Sequence, residues 1–149
     1  MAEFLSEHPI DIQWQRDGKF SHEGFERRHQ LSFNEGVTLT AGGAGNTFGS
    51  DPEQMLAAAM ASCHMQTFLV LASKKRLQVA SYEDKAVAEL VKGDDGLMRI
   101  STIRMTPKAV FEGDKQPDEE AVRKMHDKAH HHCFIANSVS CHVEVEPQF

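Results

Sequence analysis

The chain has 149 residues, enough to bury one hydrophobic core but too few for two independent ones, so we expect a single domain spanning residues 1–149. Acidic residues outnumber basic ones by 22 to 16, and the net charge of -6 repels nucleic acid and anionic membrane surfaces. We therefore expect neither as a partner. The first residues lack the basic flank and apolar run of a targeting segment, and we expect no membrane-spanning segment.

The cysteine pattern bears on the redox environment of the chain. Cys63, Cys133 and Cys141 are odd in number and widely spaced, and no Cys-x-x-Cys pair occurs. This pattern is unlike a secreted disulfide framework or a zinc-binding cysteine pair. We expect reduced thiols in a cytoplasmic protein.

Two hairpins are predicted near the N-terminus. Ile10, Ile12 and Trp14 alternate with polar residues, and a turn signal at residues 16–18 precedes Phe20, which predicts an opening hairpin. Apolar alternation on either side of residues 34–36 (Asn-Glu-Gly) predicts a second hairpin.

A glycine-rich loop at residues 41–49 leads into a long helix that we predict to run to Lys75. Two starts fit the sequence: Ser50 caps the helix with Glu53 reaching back, or Asp51 caps it with Pro52 as the first helical residue. Alanines dominate the first half of this helix, which favours close approach of another helix.

The second half of the chain alternates strands with a helix. Extended segments at about 82–92 and 97–111, joined by a turn at 93–96, are followed by a helix opening at Pro117 and a last strand from Val139 to Val145. These elements predict an α+β fold with mostly antiparallel, curved sheets packed against the helices.

Each cysteine has a structural and a chemical interpretation. Cys141 shares the valine face of the last strand, which favours a packed core thiol. Cys63 lies in the middle of the long helix, where burial alone raises its pKa, so it is either inert packing or a nucleophile that needs a cation such as arginine. Cys133 closes the second helix, whose negative end disfavours a thiolate, so it is either a packed helix end or a thiol that attacks second.

The histidine run before Cys133 offers a third chemistry. His126 and His130 are four residues apart on one helical face, as in some metal sites. No His-Glu-x-x-His frame is present, and histidines near a helix C-terminus are commonly partners of the helix dipole. We expect no metal and no cofactor, and keep a histidine metal binder as an open alternative.

Four ordered blocks resemble the OsmC and organic hydroperoxide resistance (Ohr) superfamily. Residues 51–65 are similar to its Asn/Asp-Pro-Glu-x4-Ala-x4-Cys helix, and residues 129–139 to its second cysteine motif; the segments 14–18 and 25–29 also match. The second motif reads Cys-Phe-Ile-Ala-Asn-Ser, whereas characterised hydroperoxide reductases carry Cys-Pro there. This variant resembles the OsmC-like subgroup.

The resemblance implies roles for individual residues. Cys63 corresponds to the peroxidatic cysteine and Cys133 to the resolving cysteine. Arg16 corresponds to the guanidinium that stabilises the thiolate, with Arg27 as the reserve candidate, and Glu53 to the carboxylate that orients the guanidinium.

The resemblance also implies an intertwined homodimer with its sites at the subunit interface. Ten helical residues separate Glu53 from Cys63 by about 15 Å along the axis, so the two side chains cannot readily meet within one chain. Antiparallel packing of two such helices across a twofold axis brings the start of one near the middle of the other.

The function implied is reduction of organic hydroperoxides to alcohols through a Cys63 sulfenic acid, resolved as a disulfide with Cys133. A dithiol, such as a lipoylated protein, is the implied reductant. Apolar residues near the site favour an alkyl or lipid substrate: Met55, Met60, Phe68 and Phe134. The alternative is a non-enzymatic stress-response or small-ligand-binding protein of the same fold.

Overall fold

The computed structural model describes all 149 residues, which form two compact units, Met1–Pro52 and Glu53–Phe149. The single domain predicted for residues 1–149 stays a prediction. The N-terminal unit contains a three-stranded antiparallel sheet in the order β1-β2-β3. Its strands are β1 (Asp11–Gln13), β2 (His29–Ser32) and β3 (Thr38–Ala41).

The two hairpin predictions for this unit have opposite outcomes. The second hairpin is confirmed: β2 and β3 pair, and Gly36 takes the left-handed conformation that the turn requires, with φ +76°. The opening hairpin is wrong, because β1 pairs with β2 instead of with the segment around Phe20. Phe20 packs instead with Trp14 and Phe25, and the Trp14 indole N–H donates to the Glu26 carbonyl at 2.8 Å.

The C-terminal unit is built on a 23-residue helix, α1 (Pro52–Lys74), which begins at the boundary between the units. Pro52 is the first helical residue, as the second of the two predicted starts requires. Four strands follow, then α2 (Glu119–His132), a short 3-10 helix (Ala136–Ser138) and a last strand, β8 (His142–Val145). The four strands are β4 (Gln78–Glu83), β5 (Val87–Lys92), β6 (Met98–Met105) and β7 (Lys108–Glu112).

The two long strands predicted at 82–92 and 97–111 are wrong, since each is interrupted. β4 pairs with β7 and β5 with β6, in separate sheets. At the interruption the Asp84 carboxylate accepts the Thr106 N–H at 2.7 Å, and Pro107 has no N–H to continue a ladder. The predicted turn between β5 and β6 is confirmed, with Gly96 at φ +82°.

The last strand is shorter than predicted, starting at His142 instead of Val139, and it runs parallel to β6. All other strand pairs are antiparallel, so the predicted mostly antiparallel α+β arrangement is confirmed. Cys141 lies just before β8 and packs with three valines against a buried cluster, as expected of a small hydrophobic side chain: Val139, Val143 and Val145.

Helix α1 is central to the C-terminal unit because it contributes to both buried clusters. Phe68 and Ala72 pack with Val122 and Met125 of α2. Earlier on the helix, a second cluster contains four fully buried side chains: Met60, Ile103, Met105 and Cys133. Through one cluster or the other, α1 therefore packs with α2 and with all the strands of this unit.

By length and composition alone α1 could also cross a membrane, with a mean hydropathy of 1.5 over its most apolar window. The packed core helix of a globular protein meets the same criterion. In this structure α1 buries five residues, one of them a histidine, among other protein side chains: Ala57, Met60, His64, Phe68 and Ala72. Burial in the core therefore accounts for part of its apolar character.

Candidate active site at Cys63 and Cys133

Two cysteines seventy positions apart meet in the C-terminal unit. Cys63, in the middle of α1, is half-buried, and Cys133, at the end of α2, is fully buried. Both are free thiols, and their sulfurs are within hydrogen-bonding contact. The structure thus brings together the two side chains that the sequence analysis selected.

The backbone after α2 is arranged around these sulfurs. Cys133 ends the helix in an extended conformation, with φ -69° and ψ 119°, and the next turn closes where the Asn137 N–H donates to the Cys133 carbonyl at 3.0 Å. Within this turn the N–H groups of Phe134 and Ile135 donate to the Cys63 sulfur. The Ala136 N–H points to the Cys133 sulfur, at 3.5 Å. Successive amides of this kind form a concave site that favours negative charge.

These contacts give the two thiols opposite pKa shifts. Burial raises the pKa of Cys63, but the Ile135 amide, the Cys133 thiol and the Phe134 amide together lower it below its ordinary value. Burial raises the pKa of Cys133; the Ala136 amide opposes this, and the neighbouring Cys63 raises it further. Cys63 is therefore the more acidic thiol of the pair, and Cys133 holds its proton more tightly and donates to Cys63.

The sequence analysis did not identify these backbone donors, which come from the turn after α2. The cation that it expected stays a prediction. The available signal was the Cys-Phe motif itself, because proline has no N–H and could not donate at position 134.

The two charged residues predicted for the site are placed differently. Glu53 lies in the first turn of α1, ten residues from Cys63 on an uninterrupted helix, and one of its buried carboxylate oxygens has no hydrogen-bond partner. Arg16 belongs to the N-terminal unit and is exposed, and Arg27 in the same unit lies 5.1 Å from the centre of the Phe25 ring. Their action on Cys63 stays a prediction.

The expected apolar lining of the site needs correction. Phe68 is fully buried in the other cluster, where its ring stacks on His126 at 4.2 Å, and Met60 is fully buried beneath the cysteines. Phe134 is exposed, and it borders a groove of about 570 Å³ between α1 and α2. This α1–α2 groove is lined by Gln66, Thr67, Val70, Leu71, Lys74, Lys128, His132 and Phe134.

A buried histidine pair lies beside this region and was not predicted. Nε2 of His64 and Nδ1 of His126 are 2.9 Å apart, so one ring donates a hydrogen bond and the other accepts it. The two ring planes are nearly parallel. Burial, with a smaller effect of neighbouring histidines, lowers the pKa to about 4 for His64 and about 3 for His126. His126, considered above as one member of a metal pair with His130, is hydrogen-bonded to His64. No three His, Cys, Asp or Glu side chains lie close enough together to bind a metal ion.

Comparison with known proteins identifies the family. A family model described as OsmC-like protein matches residues 43–148. A solved OsmC-like protein of unknown function from Vibrio cholerae is 34% identical, with 97% of this chain and 100% of that chain covered and a TM-score of 0.90. No curated protein sequence matches the chain.

More distant solved structures share the fold. The organic hydroperoxide resistance protein OhrB of Bacillus subtilis is 20% identical, with coverage of 94% and 98% and a TM-score of 0.68. An organic hydroperoxide resistance protein OsmC from Legionella pneumophila is 15% identical, with coverage of 97% of each chain and a TM-score of 0.70. The predicted resemblance and fold class are confirmed, and the chain belongs to the OsmC-like protein family.

Proposed function

We propose that this protein is a cysteine-based peroxidase that reduces organic hydroperoxides. The observation that carries the proposal is the pairing of Cys63, a thiol with a lowered pKa, with Cys133, a thiol with a raised pKa, in one amide-lined turn. Membership of the OsmC-like family, and the hydroperoxide-resistance names of distant structural relatives, support a role in peroxide resistance.

The reaction divides into an oxidation and a resolution. The Cys63 thiolate attacks the terminal oxygen of the hydroperoxide, the O–O bond breaks, and the alkoxide leaves as an alcohol after taking up a proton. The peroxide gains two electrons, and Cys63 becomes a sulfenic acid. The Cys133 thiol then condenses with it, forming a disulfide and releasing water. A dithiol reductant, such as a lipoylated protein, returns both cysteines to thiols by disulfide exchange.

Arg16 and Glu53 enter the proposal through a homodimer. Glu53 and Cys63 lie about 15 Å apart along one straight helix, so a Glu53 that acts on the site comes from the partner subunit. The exposed stretch of small residues on α1, which includes Ala58, Ala59 and Ser62, permits close approach of a second helix. The N-terminal unit also exposes large apolar side chains, as surfaces that meet a partner do: Ile12, Trp14, Phe20 and Phe33.

The decisive experiment follows both cysteines during turnover. Purified protein treated with cumene hydroperoxide should form a Cys63–Cys133 disulfide, detected by peptide mass spectrometry, and consume peroxide repeatedly when a dithiol is supplied. Cys63→Ser should abolish consumption. Cys133→Ser should stop after one turnover with a sulfenic acid that dimedone traps.

Cys141→Ser is the matched control, since Cys141 packs against the same buried cluster but has no part in the proposed sulfur chemistry. Its activity should be close to that of the unmodified protein. Equal losses in the Cys63 and Cys141 variants would contradict the assigned roles, and a protein that consumes no peroxide would favour the non-enzymatic ligand-binding alternative.

A further inference from the structure

A hydroxyl group lies beside the Cys63 sulfur and has no role in the reaction described so far. Thr67 follows Cys63 by four residues in α1, so the two side chains are neighbours on one face of the helix. The Thr67 hydroxyl donates to the Cys63 carbonyl at 2.9 Å, and it is also in hydrogen-bonding contact with the Cys63 sulfur. Both contacts use one oxygen atom, which has a single proton to donate.

The bond from the hydroxyl to the carbonyl can be given up at little cost. In an α-helix the Cys63 carbonyl already accepts the N–H of residue 67, so the hydroxyl is a second donor to an oxygen that has its helical partner. The hydroxyl proton rotates about the C–O bond while the oxygen stays in place. It can therefore turn from the carbonyl toward an atom that arrives at the sulfur, and the helix does not have to rearrange.

The position of Thr67 distinguishes it from the other donors around the sulfur. The Cys133 thiol is fully buried, and in the proposed reaction it keeps its proton until the sulfenic acid has formed. The Phe134 and Ile135 amides donate to the sulfur itself. Thr67 is only partly buried and lines the α1–α2 groove, so its hydroxyl lies on the side of the sulfur that a small molecule can approach.

We propose that Thr67 is a catalytic residue whose hydroxyl donates a proton to the oxygen that leaves when the Cys63 thiolate attacks a hydroperoxide. The proposal rests on the peroxidase activity proposed above and adds a residue to the same site. It answers a need of that step, because an alkoxide is a strong base and leaves poorly unless a donor is in place as the O–O bond breaks.

The step balances with water as the source of the proton. A bond forms between the Cys63 sulfur and the terminal peroxide oxygen while the O–O bond breaks, and the pair of electrons of that bond goes to the leaving oxygen. The leaving oxygen takes the Thr67 hydroxyl proton, and solvent water returns a proton to the threonine oxygen. The peroxide gains two electrons, the sulfur loses two, and one proton is taken up from water.

The test compares two oxidants that give the same sulfenic acid but differ in their leaving group. Cumene hydroperoxide expels an alkoxide, which needs a proton, whereas peracetic acid expels acetate, which is stable as an anion at neutral pH. Stopped-flow measurements follow the loss of the Cys63 thiol in a parent protein with serine at positions 133 and 141. A change in the thiolate population affects both oxidants equally, so the ratio of the two rate constants reports on the leaving group. Thr67→Val should lower the ratio of the cumene hydroperoxide rate to the peracetic acid rate by about tenfold.

Two control variants separate the hydroxyl from the rest of the side chain and from the helix. Thr67→Ser keeps a hydroxyl at the same place and should restore the parental ratio. Ser73→Ala also removes a hydroxyl that donates to the backbone of α1, to the Val70 carbonyl at 2.7 Å, but it does so ten residues beyond Cys63. Its ratio should equal that of the parent.

The outcomes separate this role of Thr67 from the peroxidase activity. If the parent reacts with cumene hydroperoxide and Thr67→Val keeps the parental ratio, the role of Thr67 is overturned while the peroxidase stands. A loss by the same factor with both oxidants would also overturn it, since thiolate formation or packing would then be affected instead of the leaving group. Equal losses in the valine and serine variants would overturn it as well. If the parent does not react with cumene hydroperoxide, the peroxidase fails and the role of Thr67 fails with it.

Discussion

Replacing Phe134 by proline removes one hydrogen-bond donor from Cys63 with little other disturbance. The Phe134 N–H donates to the Cys63 sulfur, and proline has no N–H. Cys133 already has ψ 119°, the extended conformation that precedes proline. Phe134 is the second residue of the turn that starts at Cys133, a position where proline is favoured. The Phe134 side chain is 79% exposed, so losing its ring costs little core packing.

The size of the effect follows from the kind of hydrogen bond lost. A hydrogen bond to a charged group contributes about 1.5–3 kcal/mol, and sulfur at a half-exposed position belongs at or below the lower end of that range. A loss of about 1.4 kcal/mol corresponds to a tenfold smaller thiolate population at a pH below the pKa. The Ile135 amide and the Cys133 thiol remain as donors, so activity should fall by about tenfold instead of disappearing.

The assay measures alkylation of Cys63 by iodoacetamide as a function of pH, with Cys133 and Cys141 replaced by serine in both the parent and the test protein. The Phe134→Pro profile should shift to higher pH. Phe134→Ala is the matched control, because it removes the same ring but keeps the N–H, and its profile should coincide with that of the parent.

Proline and alanine profiles that both coincide with that of the parent would refute the assignment of the turn amides as donors. A shift of equal size in both variants would assign the effect to the aromatic ring. Circular dichroism and thermal unfolding of both variants identify any loss of structure that would mimic the predicted change.

Two further predictions concern stability. Histidine in the unfolded chain has a pKa near 6.5, whereas the pKa values of His64 and His126 in the folded protein are about 4 and about 3. The unfolded chain therefore binds more protons than the folded protein as the pH falls from about 7 to 4. In urea unfolding, the free energy of unfolding should decrease by about 1.4 kcal/mol per pH unit for each ring as the pH falls. His126→Phe should reduce this slope, whereas His131→Gln, at an exposed position, should not. A free energy of unfolding that does not change with pH in the parent would contradict the buried neutral pair. Asp118 caps α2 by accepting the Ala121 N–H at 2.8 Å, so Asp118→Ala should cost about 1 kcal/mol in the same assay, while Asp118→Asn keeps the cap; equal losses would show that the bond does not contribute.

Much of the local structure was predictable because short-range rules decide it. Pro52 at the start of α1, the Asn-Glu-Gly turn before β3 and the acidic start of α2 each satisfy backbone groups within a few residues. Strand continuity was not predictable in the same way. The predicted strand from 97 to 111 runs through Thr106 and Pro107. Only the Asp84 side chain, from the segment between β4 and β5, shows why the ladder changes sheets there.

The sequence by itself determined the family, the α+β class and the identity of the two cysteines, because ordered motifs and residue spacing are properties of the chain. The tertiary structure decided what those cysteines can do. A helix position alone predicts a raised pKa for Cys63, and the amides that lower it come from residues about seventy positions away. The same holds for the His64–His126 bond and for the α1–α2 groove, since contacts between α1 and α2 exist only when the chain is folded.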